Sequence, residues 1–178
     1  MKAVVRPIPF PTNGRLLAVS DVHGNLPWLK GLLAKVGFTP DDALVLVGDL
    51  VEKGPDSLTT LRFIMELAEW NTVYGLRGNC DNLVSEFVAA RGEEERFYRH
   101  YVDVWRDRCL LVQMGHAAGF ETRGPEELPA LREVVRARFG PELAFLEAMP
   151  EILLTPDYLF VHGGVADEAH LEGLDAWH

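Results

Sequence analysis

The run Ala43-Leu44-Val45-Leu46-Val47-Gly48-Asp49, "ALVLVGD", decides the fold. Five consecutive apolar residues without polar alternation suit a strand buried on both faces, as in a parallel sheet covered by helices. The Gly-Asp that ends it puts a carboxylate at the carboxyl edge of the strand, where open α/β sheets bind their ligands. Working outward, "RLLAVS" (Arg15–Ser20) is a similar short run and predicts a second strand buried on both faces. Between the two, Leu29, Leu32, Leu33 and Val36 recur at helical spacing, with Asn25 as N-cap, Pro27 in the first turn and Gly37 as the stop.

The pattern repeats downstream. Asp56 can cap a helix whose Leu61, Ile64, Met65 and Ala68 share one face, and "TVYGL" (Thr72–Leu76) reads as a third strand. Such alternation predicts an α/β fold of right-handed βαβ units, with a largely parallel sheet and flanking helices. From Asn82 to Met149 the pattern is mostly helical, with breaks near Gly115–Gly124 and at Gly140-Pro141. "EILLTPDYLFVHGG" (Glu151–Gly164) then predicts two strands around a Thr155-Pro156-Asp157 turn. Upstream, Pro7, Pro9 and Pro11 forbid helix, so residues 1–14 are expected to form an extended arm or short edge strand before a single domain over 15–178.

Composition narrows the function classes. A chain of 178 residues with 48% apolar and 25% charged residues supports one domain with a real core. Its net charge of −10 argues against nucleic-acid polymers and anionic membrane surfaces as partners, while leaving room for a local phosphate or metal site. Two cysteines, Cys80 and Cys109, make no disulfide framework, and the first residues lack the pattern of a secretory leader. A cytoplasmic protein is expected, and no apolar run approaches the ~20 residues of a membrane-spanning helix.

Every strand end carries ligand-type side chains. The first strand runs into Ser20-Asp21-Val22-His23-Gly24-Asn25, the second into Gly48-Asp49 and on to Glu52-Lys53-Gly54, the third into Gly78-Asn79-Cys80-Asp81, and the last into His162-Gly163-Gly164. Asp21 and His23, two apart, point to one side of an extended segment. Taken singly, each has an ordinary structural explanation: a turn Asp, a helix cap, an Asn in a tight turn, a strand-end His. Four strand ends supplying Asp/His, Asp, Asn and His are explained together by convergence, and convergence would make a two-metal site.

"DVHGN" (Asp21–Asn25), "GDLVEKGP" (Gly48–Pro55), "RGNCD" (Arg77–Asp81) and "FVHGGV" (Phe160–Val165), in this order with helices between them, resemble the calcineurin-like metallophosphoesterase superfamily. His-Gly-Gly points to its phosphoprotein phosphatase branch, which includes bacterial Ser/Thr protein phosphatases and symmetrical diadenosine tetraphosphatases. The resemblance implies a metallophosphoesterase fold and a site in which Asp21 and His23 bind one metal, Asp49 bridges, and Asn79 and His162 bind a second. It implies two divalent cations, Mn or Fe/Zn by the oxygen and nitrogen donors. The implied reaction is hydrolysis of a phosphate ester, from a phosphoprotein or a nucleotide-like substrate, by a hydroxide bridging the metals.

Three features depart from the branch. Lys53 stands where a phosphate-binding arginine is usual, and a lysine is a point charge without the guanidinium fork. Glu52 replaces an aspartate that pairs with the proton donor, and Cys80, just before Asp81, replaces the donor histidine itself. Cys80, Glu52 and Asp81 are therefore the catalytic candidates, with a thiol a poor acid for an alkoxide leaving group. Cys80 leaves a phosphodiesterase or dinucleotide polyphosphate hydrolase open beside the Ser/Thr protein phosphatase-like reading. The branch also continues through further strands that supply another histidine and arginine. The chain is accordingly expected to lack the C-terminal strands of the full domain, unless His170 or His178 substitutes. An uncovered sheet edge would favour self-association, and a catalytically impaired metal-binding module is the remaining alternative.

Overall fold

A computed structural model describes residues 3–89 and 92–164, so His170 and His178 lie outside the described residues. The elements run β1 (Val5–Pro7), β2 (Leu16–Val19), α1 (Leu26–Lys35), β3 (Ala43–Val47), α2 (Ser57–Trp70), β4 (Thr72–Leu76) and α3 (Leu83–Ala89). A winding helical segment follows: α4 (Glu94–Phe97), a π-turn (Tyr98–Val102), α5 (Asp103–Trp105) and a 3₁₀ turn (Arg106–Arg108). Then come α6 (Leu110–Ala117), α7 (Leu128–Arg138), α8 (Gly140–Glu147), β5 (Ile152–Leu154) and β6 (Leu159–Val161).

Among the described residues the strands form two three-stranded sheets. The first has the order β2-β3-β4 and is parallel throughout, as the two βαβ units require, with Leu17 opposite Leu44 and Leu44 opposite Val73. Alternation along β3 sorts its side chains into two layers. Leu44 and Leu46 join the large cluster under the helices, with Leu29, Leu61 and Ile64. Val45 faces the other way and packs with Leu76, Ile8 and Leu153, sealing the first sheet against the second. β3 is buried almost throughout because it is the middle strand, whereas β2 is an outer strand: Ala18 is exposed and Leu16, Leu17 and Val19 are half-buried. The expectation of a β2 buried on both faces is corrected accordingly.

The second sheet has the order β1-β5-β6. β5 and β6 pair antiparallel across a turn in which the Thr155 hydroxyl accepts from the Tyr158 amide at 2.8 Å. A four-residue connection permits no other direction. β1 adds as the edge strand, parallel to β5, with Val5 opposite Ile152, and the next residue, Ile8, is buried. Pro7 is tolerated there because an edge strand has one side free of ladder bonds.

Local signals explain the helix ends. The Asp56 carboxylate accepts from the Thr59 amide at 3.0 Å, capping α2 as its position predicts. Asn25 occupies the N-cap of α1 without a side-chain cap bond, so its backbone carbonyl serves instead, accepting from Trp28 and Leu29. α6 runs through Gly115 to Ala117 before breaking, because Leu110, Leu111 and Met114 commit its face to the core. Arg15 fastens the start of β2: its guanidinium makes bonds of 3.0 and 2.8 Å to buried Asp42 and also reaches the Val36 and Gly37 carbonyls at the end of α1. Those hydrogen bonds from Arg15 hold the Asp42 carboxyl well below the usual carboxylate range.

Candidate metal centre

The loops after β2, β3, β4 and β6 meet at one end of the sheets. The first two keep pairing after the strands stop: Asp21 N–H donates to the Gly48 carbonyl (3.1 Å), His23 N–H to Asp49 (2.9 Å) and Gly24 N–H to Leu50 (2.8 Å). Both loops are strained. Of the six non-glycine residues with positive φ among the described residues, five lie here: Asp21, His23, Asp49, Glu52 and Lys53. Each such residue costs on the order of 1 kcal/mol or more, and strain of this kind concentrates at functional sites.

Asp49 is the buried centre. Its Oδ1 accepts the Cys80 N–H at 2.9 Å and faces Nε2 of His162 at 3.4 Å. Its Oδ2 faces Nε2 of His23 and Nζ of Lys53, both at 3.6 Å. His23 Nε2 also lies 3.6 Å from Oδ1 of Asp21, which stands exposed at the rim. Burial opposes a charge on Asp49, yet the Cys80 backbone and side chain and the two histidines hold its pKa below the ordinary value.

The histidine rings are oriented by backbone. Nδ1 of His162 donates to the Val47 carbonyl at 2.9 Å, and Nδ1 of His23 to the Val51 carbonyl at 3.3 Å. A carbonyl only accepts, so Nδ1 of each ring carries a proton and Nε2 is the nitrogen turned toward the carboxylates, the one left to a metal ion. Two imidazole nitrogens and the carboxylates of Asp21 and Asp49 converge here at 3.4 to 3.6 Å, a donor set of the kind that holds divalent cations. The residues present therefore fit divalent metal ions, with Asp49 shared between a cluster with His23 and Cys80 and another with Asp21 and His162.

The remaining candidates are placed differently. Asn79 is exposed, and its amide nitrogen lies 3.5 Å from Cys80 Sγ. Cys80 is buried beside Asp49; burial, reinforced by Asp49, pushes its thiol up to about 12. Asp81 lies beneath the site, accepting the amides of Gly78, Asp49 and Leu50 at 2.8 Å each and of Val51 at 3.3 Å. The close packing of these loops needs glycine: a Cβ on Gly78 would come within 2.3 Å of Asp49 N, and one on Gly48 within 2.7 Å of His162 Nδ1.

Glu52 also turns away from the metal donors. It is buried, accepting the Tyr101 hydroxyl on one oxygen and the Leu110 N–H on the other at 2.9 Å. Burial pushes its carboxyl up to about 7, aided by Asp81 and Asp49 and opposed by the Tyr101 and Leu110 hydrogen bonds. A raised folded-state pKa contributes stability at low pH that is lost as the carboxyl ionises. The wild-type melting temperature is therefore expected to fall as pH rises from about 5 to about 8 more than that of Glu52→Gln. Parallel curves for the two proteins would refute the assignment.

Sequence reading did not single out Tyr101, Leu110 or Trp105 at this site. Trp105 lies with its ring centroid 6.0 Å from Lys53 Nζ. Phe97, Tyr101 and Trp105 recur at helical spacing, a signal of a buried helix face that says nothing of which loop the face packs against.

Carboxylates and imidazoles gathered at the strand ends of a layered βαβ fold mark a candidate metal centre in an α/β protein. The sequence profile of the calcineurin-like phosphoesterases matches residues 14–177, and the chain belongs to that family. Over 64 residues, 35% of the chain, it is 53% identical to the symmetrical bis(5'-nucleosyl)-tetraphosphatase of Pectobacterium atrosepticum, the match covering 22% of that protein. Over 52 residues, 29% of the chain, it is 56% identical to the enzyme of the same name from Shewanella oneidensis, covering 19% of it. A solved structure provisionally described as a diadenosine tetraphosphatase superposes with a TM-score of 0.56 at 25% identity, over 92% of this chain and 55% of that one. The cold-active protein-tyrosine phosphatase of a Shewanella species shares the fold, with a TM-score of 0.55 at 18% identity over 96% of this chain and 48% of that one. The chain thus spans only part of the length of the relatives it matches. Among the described residues, no helix is long and apolar enough to cross a membrane.

Proposed function

We propose that the protein is a dinuclear metal-dependent phosphoesterase acting on phosphoanhydrides, with dinucleoside polyphosphates as its substrate class. The observation that carries this reading is Asp49 set between two imidazoles whose Nε2 atoms face its oxygens at 3.4 and 3.6 Å. Asp21, His23, Asp49, Asn79 and His162 would hold the cations, and their oxygen and nitrogen donors suit Mn²⁺, Fe or Zn²⁺. When bound, such a pair supplies Lewis-acid charge for phosphoryl oxygens and an acidified water as nucleophile.

The chain's own residues do the rest. Lys53, 3.6 Å from Asp49 Oδ2, offers its ammonium to the phosphoryl oxygens as a point charge. Glu52 and Asp81 are positioning residues, one tying the Lys53 loop to the helical segment and the other tying the loops after β3 and β4 together. Cys80, buried beside Asp49, is a thiol where the branch has an imidazole and a poor acid for an alkoxide leaving group. A nucleotide leaving group needs little protonation, since a terminal phosphate ionises with a pKa of about 6. This agrees with the tetraphosphatase names of the matched relatives.

The test is hydrolysis of diadenosine tetraphosphate, p-nitrophenyl phosphate, bis(p-nitrophenyl) phosphate and a phosphoserine peptide, each with and without MnCl₂. Metal-dependent cleavage of diadenosine tetraphosphate at the highest kcat/KM is the expected result. Preference for the phosphoserine peptide would return the site to the Ser/Thr protein phosphatase-like type, and preference for the diester to a phosphodiesterase. No turnover of any of them would leave a metal-binding module.

A further inference from the structure

The geometry points to Trp105 as a nucleobase platform, a specificity-determining residue at the edge of the metal centre that stacks on the base of a bound nucleotide. The inference rests on the nucleotide reading above and adds where the base is held. Both ends of the segment that carries Trp105 are fastened to Glu52, by the Tyr101 hydroxyl before it and the Leu110 N–H after it. Glu52 is the immediate neighbour of Lys53. Further back, Phe97 packs edge-on to Tyr101 at 4.8 Å and against Phe87 at 4.7 Å, which ties the same segment to α3.

From Asp103 to Arg108 the segment is exposed, with Asp103, Val104 and Arg106–Arg108 facing solvent and Trp105 half-buried among them. The backbone turns sharply after it, with Arg106 at φ 48°. The indole is thus held in place while part of it stays open to solvent. Its centroid lies 6.0 Å from Lys53 Nζ, which itself lies 3.5 Å from His23 Nε2 and 3.6 Å from Asp49 Oδ2. A phosphate drawn to Lys53 leaves the sugar and base of a nucleotide to extend away from the metal donors, and this indole is the aromatic face set against that lysine. Base-on-aromatic stacking is tolerant of base identity, so the platform selects for a nucleotide over a bare phosphate without choosing among bases.

The experiment is calorimetric titration of the protein, in MnCl₂, with AMP and with ribose 5-phosphate, which differ by the base. Wild type is expected to bind AMP about tenfold more tightly than ribose 5-phosphate, in the range that stacking on one aromatic contributes. Trp105→Ala should bring AMP to the affinity of ribose 5-phosphate and leave the latter unchanged, while Trp105→Phe keeps most of the preference. Circular dichroism melts establish that the variants fold, and Trp105→Leu, which keeps apolar bulk without an aromatic face and should lose the preference, carries the comparison if the alanine variant does not. Equal binding of the two ligands by wild type, binding of neither, or a preference that survives Trp105→Ala would overturn the platform. A protein that prefers AMP through Trp105 yet leaves diadenosine tetraphosphate intact would refute the proposed reaction and keep the base site.

Discussion

Asp49→Asn should lower metal-dependent hydrolysis by about 10³-fold or more while leaving the fold standing. The side chain is buried, and all its partners converge on the two oxygens: the Cys80 N–H and His162 on one, His23 and Lys53 on the other. An amide keeps the shape and one acceptor for the Cys80 N–H, but it removes the charge that offsets two cations. With its oxygen kept for the Cys80 N–H, it also turns an N–H₂ toward the Lys53 ammonium. Loss of metal binding supplies a second readout, because a ligand that binds only the native state raises the melting temperature with its concentration. MnCl₂ should raise the melting temperature of wild type and leave that of Asp49→Asn unmoved. A variant that keeps more than about a tenth of the activity would remove Asp49 from the centre of the mechanism.

Asp81→Ala should act on stability first. One carboxylate satisfies four buried amides, three of them on consecutive residues Asp49, Leu50 and Val51 of the loop after β3 and one on Gly78. Each buried donor left without a partner costs about 1–3 kcal/mol. Even with relaxation and entry of water, a net loss of at least about 3 kcal/mol is expected, against a total stability of about 5–15 kcal/mol for a domain. For a chain of this length that is a fall of roughly 10 °C in melting temperature. Asp81→Asn, which retains one acceptor oxygen, should fall between. Amide exchange at Leu50 and Val51 should quicken in both variants. If Asp81→Ala melts within about 2 °C of wild type and activity is lost all the same, then Asp81 takes part in the chemistry rather than in holding the loops.

Comparison of these two aspartates shows what could be read from the chain and what could not. Asp49 ends an unbroken apolar run, and burial of that run forces the residue to the carboxyl edge of a sheet, where ligands bind. His23 and His162 were readable on the same ground, since the strand before each is marked by its own apolar residues. Asp81 follows a turn, and a turn leaves open whether a carboxylate points out of a loop or back under its neighbour. Only the positions of the Leu50 and Val51 amides, some thirty residues away, decide it. Glu52 is the same case: Tyr101 and Leu110 meet it across separations of 49 and 58 residues, and no local period records that meeting. The pairing of β1 with β5 was equally hidden. Three prolines announce an extended arm, but they say nothing about which strand it will lie against.

That pairing has a consequence for how the site is assembled. The β2-β3-β4 sheet is made of neighbours in sequence and can form from local βαβ units. β1 and β5 stand 147 residues apart at Val5 and Ile152, so the second sheet must close nearly the whole chain into a loop. Loop-closure entropy places such pairings late in folding. His162 follows the last strand of that late sheet, whereas Asp21, His23 and Asp49 belong to the early one. The order of events is then built into the thread: four of the five proposed ligands, Asn79 after β4 included, belong to the early sheet, and the docking of the hairpin adds the fifth. A ribosome still short of residue 162 carries a chain in which the proposed centre lacks one of its two imidazoles.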